Sequence, residues 1–278
     1  MHDHGAAPPT RPDVPVPPPG SLAGRTVVVT RARAQASDLV GRLTRSGASV
    51  VELPVIAIED AADGGVALAA AADRAVAGAY EWIVVTSVNA VARMVDALAG
   101  RALPAPTRWA AVGTSTAKAL MTRGIVPDLV PADAVSDALV AVFPVAVPGE
   151  SPGRPTDEGT ALFVRAERVR DVVVPGLVAK GWRVDEAVAY RTVAGAVGSD
   201  AVRQARAADA VAFTSSSTVE RTVDLLGADG VPPVVVSIGP ITSGAVRAAG
   251  LGVAVEAEVH TLDGLVAAVV DALGTADG

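Results

Sequence analysis

Two Thr-Ser pairs stand at positions in this 278-residue chain where they could bind an anion. Thr86-Ser87 and Thr214-Ser215 each follow a short apolar run and precede a helical pattern. Backbone N–H groups and the helix dipole favour negative charge at the start of a helix. The same residue types also cap helices without any ligand. The duplication favours the binding role, so these four residues are candidate carboxylate ligands.

Two glycine-led turns, 113–116 and 239–242, follow the next predicted strands and offer further amides and hydroxyls. Thr116 and Thr242 occupy matching positions in the two turns. Neither turn has the full G-x-G-x-x-G pattern, the lysine of a phosphate-binding loop or an acidic ribose-binding residue. They favour a ligand rich in carboxylates over a nucleotide.

Arginines near the predicted strand ends supply local positive charge. Arg31 follows Val29-Thr30, and Arg165 follows Phe163-Val164. A guanidinium group binds a carboxylate through two parallel hydrogen bonds, so both arginines are candidate substrate ligands. The alternative for each is a solvated helix face. Three more arginines lie nearby: Arg33, Arg168 and Arg170.

Tyr190 is one of two tyrosines and lies in the extended segment 189–192. Its phenol could face a ligand, whereas the alternative is a strand tyrosine that packs its ring. A Ser-His-acid triad is not expected, because His260, the histidine of the predicted ordered region, lies near neither a nucleophile motif nor a second base.

The composition argues against several classes of function. With 23 basic and 30 acidic residues, the net charge of −7 gives no field that attracts nucleic acid or an anionic membrane. The absence of cysteine and the three scattered histidines predict no metal and no redox cofactor. No apolar run reaches the roughly 18 residues of a membrane span. Without a secretory pattern at the N-terminus, we expect the chain to stay in the cytoplasm. We also expect it to be a monomer that binds a small-molecule substrate.

The elements that position these residues follow one repeated unit. A β-branched strand at 26–30 leads into a helical pattern at 35–45, which stops at Gly47. The unit recurs with strands predicted at 82–86, 109–112, 161–164, 210–214 and 234–238. Such alternation predicts an α/β fold with parallel sheets covered on both faces.

An internal repeat divides the chain into two similar halves. The second Thr-Ser pair lies 128 residues after the first, and the second glycine turn lies 126 residues after the first. The opening unit at 29–50 recurs at 163–184. We therefore expect two Rossmann- or flavodoxin-like lobes.

Two extended segments, 50–58 and 184–193, are predicted to cross between the lobes as paired strands. Pro54 and Asp185-Glu186 argue against their deep burial. The predicted boundaries are a disordered Pro-rich tail at 1–22, a first lobe of 23–54 with 193–278, and a second lobe of 55–192. A cleft is expected between the lobes.

Taken in order from Gly24 to about Leu273, these motifs resemble the uroporphyrinogen-III synthase family. The matching segments are 28–33, 53–56, 82–91, 111–117, 189–192, 213–219 and 238–242. The chain departs from the family at Thr114-Ser115 and at Ser216, where small residues or proline are commoner. The resemblance implies two α/β lobes joined by a two-stranded β linker.

The resemblance also implies a function. The substrate would be hydroxymethylbilane, a linear tetrapyrrole with eight carboxylates, and the enzyme would be a cyclising hydro-lyase without a cofactor. Water would be lost and the last ring inverted before closure to uroporphyrinogen III, whereas unaided cyclisation gives the wrong isomer. The family positions imply Tyr190 as the assisting acid. They imply five substrate ligands: Thr86, Ser87, Thr116, Ser215 and Thr242.

Two other functions fit part of the pattern. A hinged two-lobe protein that binds or senses small anions without catalysis would show the same lobes. A GT-B-like glycosyltransferase ranks last, because the chain is short for that fold and no acidic nucleotide-binding residue is evident.

Overall fold

A computed structural model describes residues 17–147, 159–168 and 172–274. The elements up to the middle of the chain are β1 Thr26–Val29, α1 Arg33–Arg45, β2 Ser49–Glu52, β3 Ile56–Asp60, α2 Val66–Val76, β4 Trp82–Val85, α3 Val88–Leu98, β5 Arg108–Ala111, α4 Thr114–Thr122 and α5 Ser136–Val142. The later elements are β6 Thr160–Ala166, α6 Val173–Ala179, β7 Arg183–Ala194, α7 Ser199–Arg206, β8 Ala210–Phe213, α8 Ser216–Leu226, a 3-10 turn at Ala228–Gly230, β9 Val234–Ser237, α9 Pro240–Ala248, β10 Val255–Glu256 and α10 Leu262–Gly274.

The strands form two five-stranded sheets. One has the order β10-β9-β8-β1-β2 and the other the order β3-β7-β6-β4-β5. The pairs at the centre of each sheet, β1 with β8 and β4 with β6, are parallel. The prediction of an α/β fold with parallel sheets is therefore confirmed. Among the described helices, none is long and apolar enough to cross a membrane.

The chain divides into two compact units. Unit 1 contains the residues up to Ala57 and those from Val193 onward, and unit 2 contains Ile58–Thr192. The chain passes between the units within β3 and again within β7, and these strands are neighbours in the second sheet. Each sheet consequently contains strands from both halves of the sequence repeat.

The core of unit 2 explains why β4 reads as an uninterrupted apolar run. Ile83 and Val85 belong to one buried cluster, whereas Trp82 and Val84 belong to another. Successive side chains of a strand point to opposite faces, so this central strand is buried on both sides. Its carboxyl end is thereby held rigidly where Thr86 and Ser87 follow.

The core of unit 1 corrects the predicted extent of the N-terminal tail. Leu22 is fully buried in the cluster that contains Val27 and Leu39, and its N–H donates to the Ser46 carbonyl at 2.8 Å. The ordering entropy of this short segment is offset by burial of the leucine. The tail therefore does not extend to residue 22, and residues 1–16 lie outside the described residues.

The segment between β2 and β3 corrects a second expectation. Pro54 is buried, although its presence had argued against deep burial. It lies between the strands rather than within one, so its missing N–H does not interrupt a ladder. A close backbone approach follows, since the Gly195 N–H donates to the Val55 carbonyl at 2.8 Å. A Cβ at Gly195 would lie 1.8 Å from the Pro54 oxygen, so only glycine fits.

Candidate functional site

In unit 2, the sheet register places several of the predicted site residues at one edge. Val85 pairs with both Val164 and Ala111, and Ala166 pairs with Tyr190. These parallel strands all end at the same edge, where Thr86 follows β4. A register shift beside Ala166 brings Tyr190, within β7, opposite the last residue of β6.

Tyr190 and Ser87 contact each other directly. The Tyr190 hydroxyl donates to Ser87 Oγ at 3.0 Å, and the same oxygen accepts the Ala90 N–H at 3.1 Å. Ser87 is thus the N-cap of α3. The Tyr190 ring is 7% exposed and packs in the core. The sequence offered two alternatives for Tyr190, a packed ring or a hydroxyl that faces a ligand. In the structure the ring is packed and the hydroxyl also makes a polar contact.

The Gly113 turn, at the start of α4, can offer an anion backbone N–H groups more readily than a side-chain hydroxyl. Gly113 is the N-cap of α4 and has no side chain to accept the first N–H groups. A Cβ there would lie 2.6 Å from Ala134 Cβ, so the close loop requires glycine. Thr116, in the first turn of α4, is only 4% exposed.

The Arg165 guanidinium is already engaged. Its Nε donates to Glu186 at 2.5 Å, and its Nη1 donates to the carbonyls of Ala166 and Glu167 at 3.0 Å. A ligand carboxylate would have to replace Glu186 there. Arg168 is exposed, and Arg170 lies outside the described residues.

In unit 1, three neighbouring strands end at a similar edge. Val29 of β1 pairs with Ala212 of β8, and Phe213 pairs with Ser237 of β9. Thr30 and Thr214 therefore follow the ends of adjacent strands. The helices α8 and α9 begin just beyond this edge.

The two helix starts of unit 1 lack side-chain caps. Ser215 is the N-cap of α8, but its Oγ lies 3.2 Å from Ser217 Oγ and accepts no first-turn N–H. Gly239 is the N-cap of α9 and offers no acceptor. Thr242, like Thr116, is 4% exposed. Backbone N–H groups of these first turns are available to an anion, except that the Thr218 N–H donates to the Ser215 carbonyl at 3.2 Å and Pro240 has no N–H.

Arg31 is the basic residue whose surroundings fit ligand binding best. Among residues 17–147, 159–168 and 172–274, no partner forms a hydrogen bond or ion pair with its guanidinium. Burial lowers its pKa, and the nearby Asp38 only partly opposes this effect. A half-buried cation without a partner is destabilising until an anion pairs with it.

Thr30, beside Arg31, has a hydroxyl that no described residue satisfies, and it was not among the predicted site residues. It is fully buried, and its Oγ1 has no partner among the described residues. The signal was present in the sequence, because Thr30 follows β1 just as Thr86 follows β4 and Thr214 follows β8. Within the described part of the chain, no group of three or more His, Asp or Glu residues could hold a metal ion.

Comparison with known proteins identifies the family. A family model described as Uroporphyrinogen-III synthase HemD matches residues 37–267. The chain belongs to the uroporphyrinogen-III synthase family. The resemblance inferred from the motifs is thus confirmed. A relative from Synechococcus elongatus, named uroporphyrinogen-III synthase, is 32% identical over 267 residues, which cover 89% of this chain and 95% of that protein.

Two solved uroporphyrinogen-III synthase structures have a similar fold. A mutant enzyme from the extremely thermophilic bacterium Thermus thermophilus matches with a TM-score of 0.59 and 19% identity, covering 90% of this chain and 99% of that one. The enzyme from Helicobacter pylori matches with a TM-score of 0.55 and 13% identity, covering 89% and 99%. At these low sequence identities, the structural similarity supports a shared fold and nothing more specific.

Proposed function

We propose that this chain is a uroporphyrinogen-III synthase, which dehydrates and cyclises hydroxymethylbilane with inversion of the last ring. The family assignment and the relative that is 32% identical over 89% of the chain support this function. No cofactor is invoked, because the substrate carries both its leaving group and its nucleophile.

The observation that carries the proposal is Arg31. Its half-buried guanidinium has no hydrogen-bond or ion-pair partner among the described residues, and it follows β1, whose neighbour β8 leads into the uncapped start of α8; α9 follows the next strand. Such a site favours a carboxylate. The carboxylate would form an ion pair with the guanidinium and accept hydrogen bonds from the backbone N–H groups at the helix start. Hydroxymethylbilane has eight carboxylates, so several contacts of this kind can fix its conformation.

The proposed chemical step uses Tyr190 as a weak acid. The carbon–oxygen bond of the terminal hydroxymethyl group breaks, and the phenol proton goes to the departing hydroxyl, which leaves as water. An azafulvene cation remains, and the substituted α-carbon of the last ring attacks it to form a spiro intermediate. The original bond from that carbon to its methylene bridge then breaks, and the released azafulvene recombines at the other α-carbon, which closes the macrocycle with the ring inverted. In the structure the phenol proton is donated to Ser87 Oγ, so this bond positions the Tyr190 hydroxyl and is exchanged for one to the departing hydroxyl before the transfer. The proton lost on closure restores the phenol.

The predicted ligands have different proposed roles. Thr86 and Ser87 offer hydroxyls at the start of α3, and Ser215 offers one at the start of α8. Thr116 and Thr242 are buried, so we assign the anion contacts of their turns to backbone N–H groups. Arg165 binds substrate only if a carboxylate displaces Glu186. The cytoplasmic location and the monomeric state stay predictions.

The test supplies purified protein with freshly generated hydroxymethylbilane and separates the oxidised type I and type III uroporphyrins by chromatography. An excess of type III over the protein-free blank is expected. Type I alone, as in the blank, would refute the function.

A further inference from the structure

An open groove of about 490 Å³ lies within unit 2, and none of the predicted ligands lines it. It is lined by residues 58–62 and 64, together with Arg93 from α3 and Arg191 from β7. Two carboxylates, those of Glu59 and Asp60, belong to the same lining. The groove therefore contains two cations and two anions.

Each arginine of the groove forms an ion pair with one of the carboxylates. Arg93 pairs with Asp60, and Arg191 Nη2 donates to Glu59 at 2.8 Å. The side chains of Arg191 and Glu59 are 41% and 48% exposed. Exposed pairs of this kind are worth about 0–1 kcal/mol, so a competing carboxylate can replace either acid at little cost.

Arg191 has a donor that Glu59 does not use. Its Nε is buried and has no hydrogen-bond partner among the described residues. A buried donor without an acceptor is unfavourable, and a carboxylate bound through both Nε and Nη2 would satisfy it. The Arg191 guanidinium can therefore donate two parallel hydrogen bonds, from Nε and Nη2, to one carboxylate. Glu59 accepts only the bond from Nη2.

The groove also lies within reach of the proposed acid. Arg93 lies six residues after Ser87 on α3, and Arg191 lines the same groove, although its side chain and that of Tyr190 leave β7 on opposite faces. Six residues of α-helix correspond to a rise of about 9 Å. A linear polycarboxylate held at Ser87 and Tyr190 can therefore place another of its carboxylates at this groove.

We propose that Arg93 and Arg191 form a carboxylate subsite for the tetrapyrrole, in which Glu59 and Asp60 compete with the substrate for the arginines. This inference rests on the proposed function. The proposal predicts opposite effects for the two kinds of residue. Removal of an arginine weakens substrate binding, whereas removal of the competing Glu59 carboxylate strengthens it.

The test compares Arg191→Gln, Arg93→Gln and Glu59→Gln with the control Arg123→Gln. Arg123 is also in unit 2, is also 41% exposed, and pairs with Asp96 outside the groove. We expect Arg191→Gln and Arg93→Gln to raise KM about three- to fivefold, and Glu59→Gln to lower it about twofold. The control should leave KM unchanged, and kcat should change in none of the four.

The proposal is overturned if Arg191→Gln and Arg123→Gln have the same KM, or if Glu59→Gln leaves KM unchanged or raises it. Should the unmutated protein form no type III product, the proposed function fails by itself. The subsite is then judged by titration with uroporphyrin I, a stable octacarboxylate. Weaker binding to Arg191→Gln than to Arg123→Gln supports the subsite, and equal binding refutes it.

Discussion

Replacing Tyr190 and Ser87 singly and together measures the contact on which the proposed acid depends. Tyr190→Phe keeps the packed ring and removes one neutral hydrogen bond of 3.0 Å, worth about 1 kcal/mol. Ser87→Ala removes the same bond and also the cap to the Ala90 N–H, another 1 kcal/mol or so. The double variant loses the shared bond only once. We therefore expect roughly 2 kcal/mol for it rather than 3, a coupling of about 1 kcal/mol.

The chain offers a selective stability assay for this cycle. All three tryptophans, Trp82, Trp109 and Trp182, lie in unit 2. Urea unfolding followed by tryptophan fluorescence therefore reports the unit that contains both mutated residues. A coupling energy near zero would show that the Tyr190–Ser87 bond contributes nothing to the folded state.

Single-turnover formation of type III product tests the catalytic side. We expect Tyr190→Phe to slow it by about 10²-fold, the lower range for a positioned acid. Ser87→Ala should slow it less, because the acid remains but is less well oriented. Tyr80→Phe is the control, since the Tyr80 hydroxyl bonds to Arg74 and Asp185 instead. Full activity of Tyr190→Phe would refute the assignment.

Three further predictions follow from particular contacts. Arg31→Gln should raise KM by about tenfold or more and increase the type I fraction, because a charge-assisted contact is lost. Its Tm should not fall, because a half-buried cation without a described partner is removed; a lower Tm with unchanged KM would contradict the ligand role. Gly195→Ala should reduce the unfolding free energy by about 3 kcal/mol, since its Cβ would overlap the Pro54 oxygen, whereas Gly198→Ala has open space and should be near neutral by calorimetry. Equal stability of these two variants would disprove the close approach. Burial raises the pKa of Tyr80, which favours its neutral phenol in the folded state. This stabilisation is present below the unfolded pKa of about 10 and is lost as the pH rises past it. Alkaline unfolding of Tyr80→Phe should therefore be less steep with pH, and an unchanged slope would count against the buried phenol.

Much of the fold could be predicted because its signals are local. The run at β4 is apolar at every position, and each strand is followed by a helical pattern, which together specify a parallel sheet buried on both faces. Pro54 was misjudged because its burial depends on where β2 ends, and strand ends are poorly specified by sequence. Leu22 was assigned to the tail because a single apolar residue in a Pro-rich segment has no periodicity.

The candidate site could be predicted only at the level of residue type. Threonine, serine and arginine at strand ends indicated anion binding, but their separate states depend on contacts distant in sequence. Arg165 is engaged because Glu186 lies on the neighbouring strand, whereas Arg31 is free of described partners. The repeat assigned these two arginines the same role, and nothing in their immediate sequence separates them.

The scarcity of acid–base groups around the proposed site is consistent with the chemistry. A substrate that ionises readily and cyclises unaided needs little help with its barrier, but it needs its conformation fixed before closure. In the proposed site, uncapped helix starts and a desolvated arginine would hold carboxylates without adding reactive groups that could divert the cation. Tyr190 adds one proton donor whose direction is set by Ser87. On this view, binding contacts determine which isomer forms, and the acid determines mainly how quickly the water leaves.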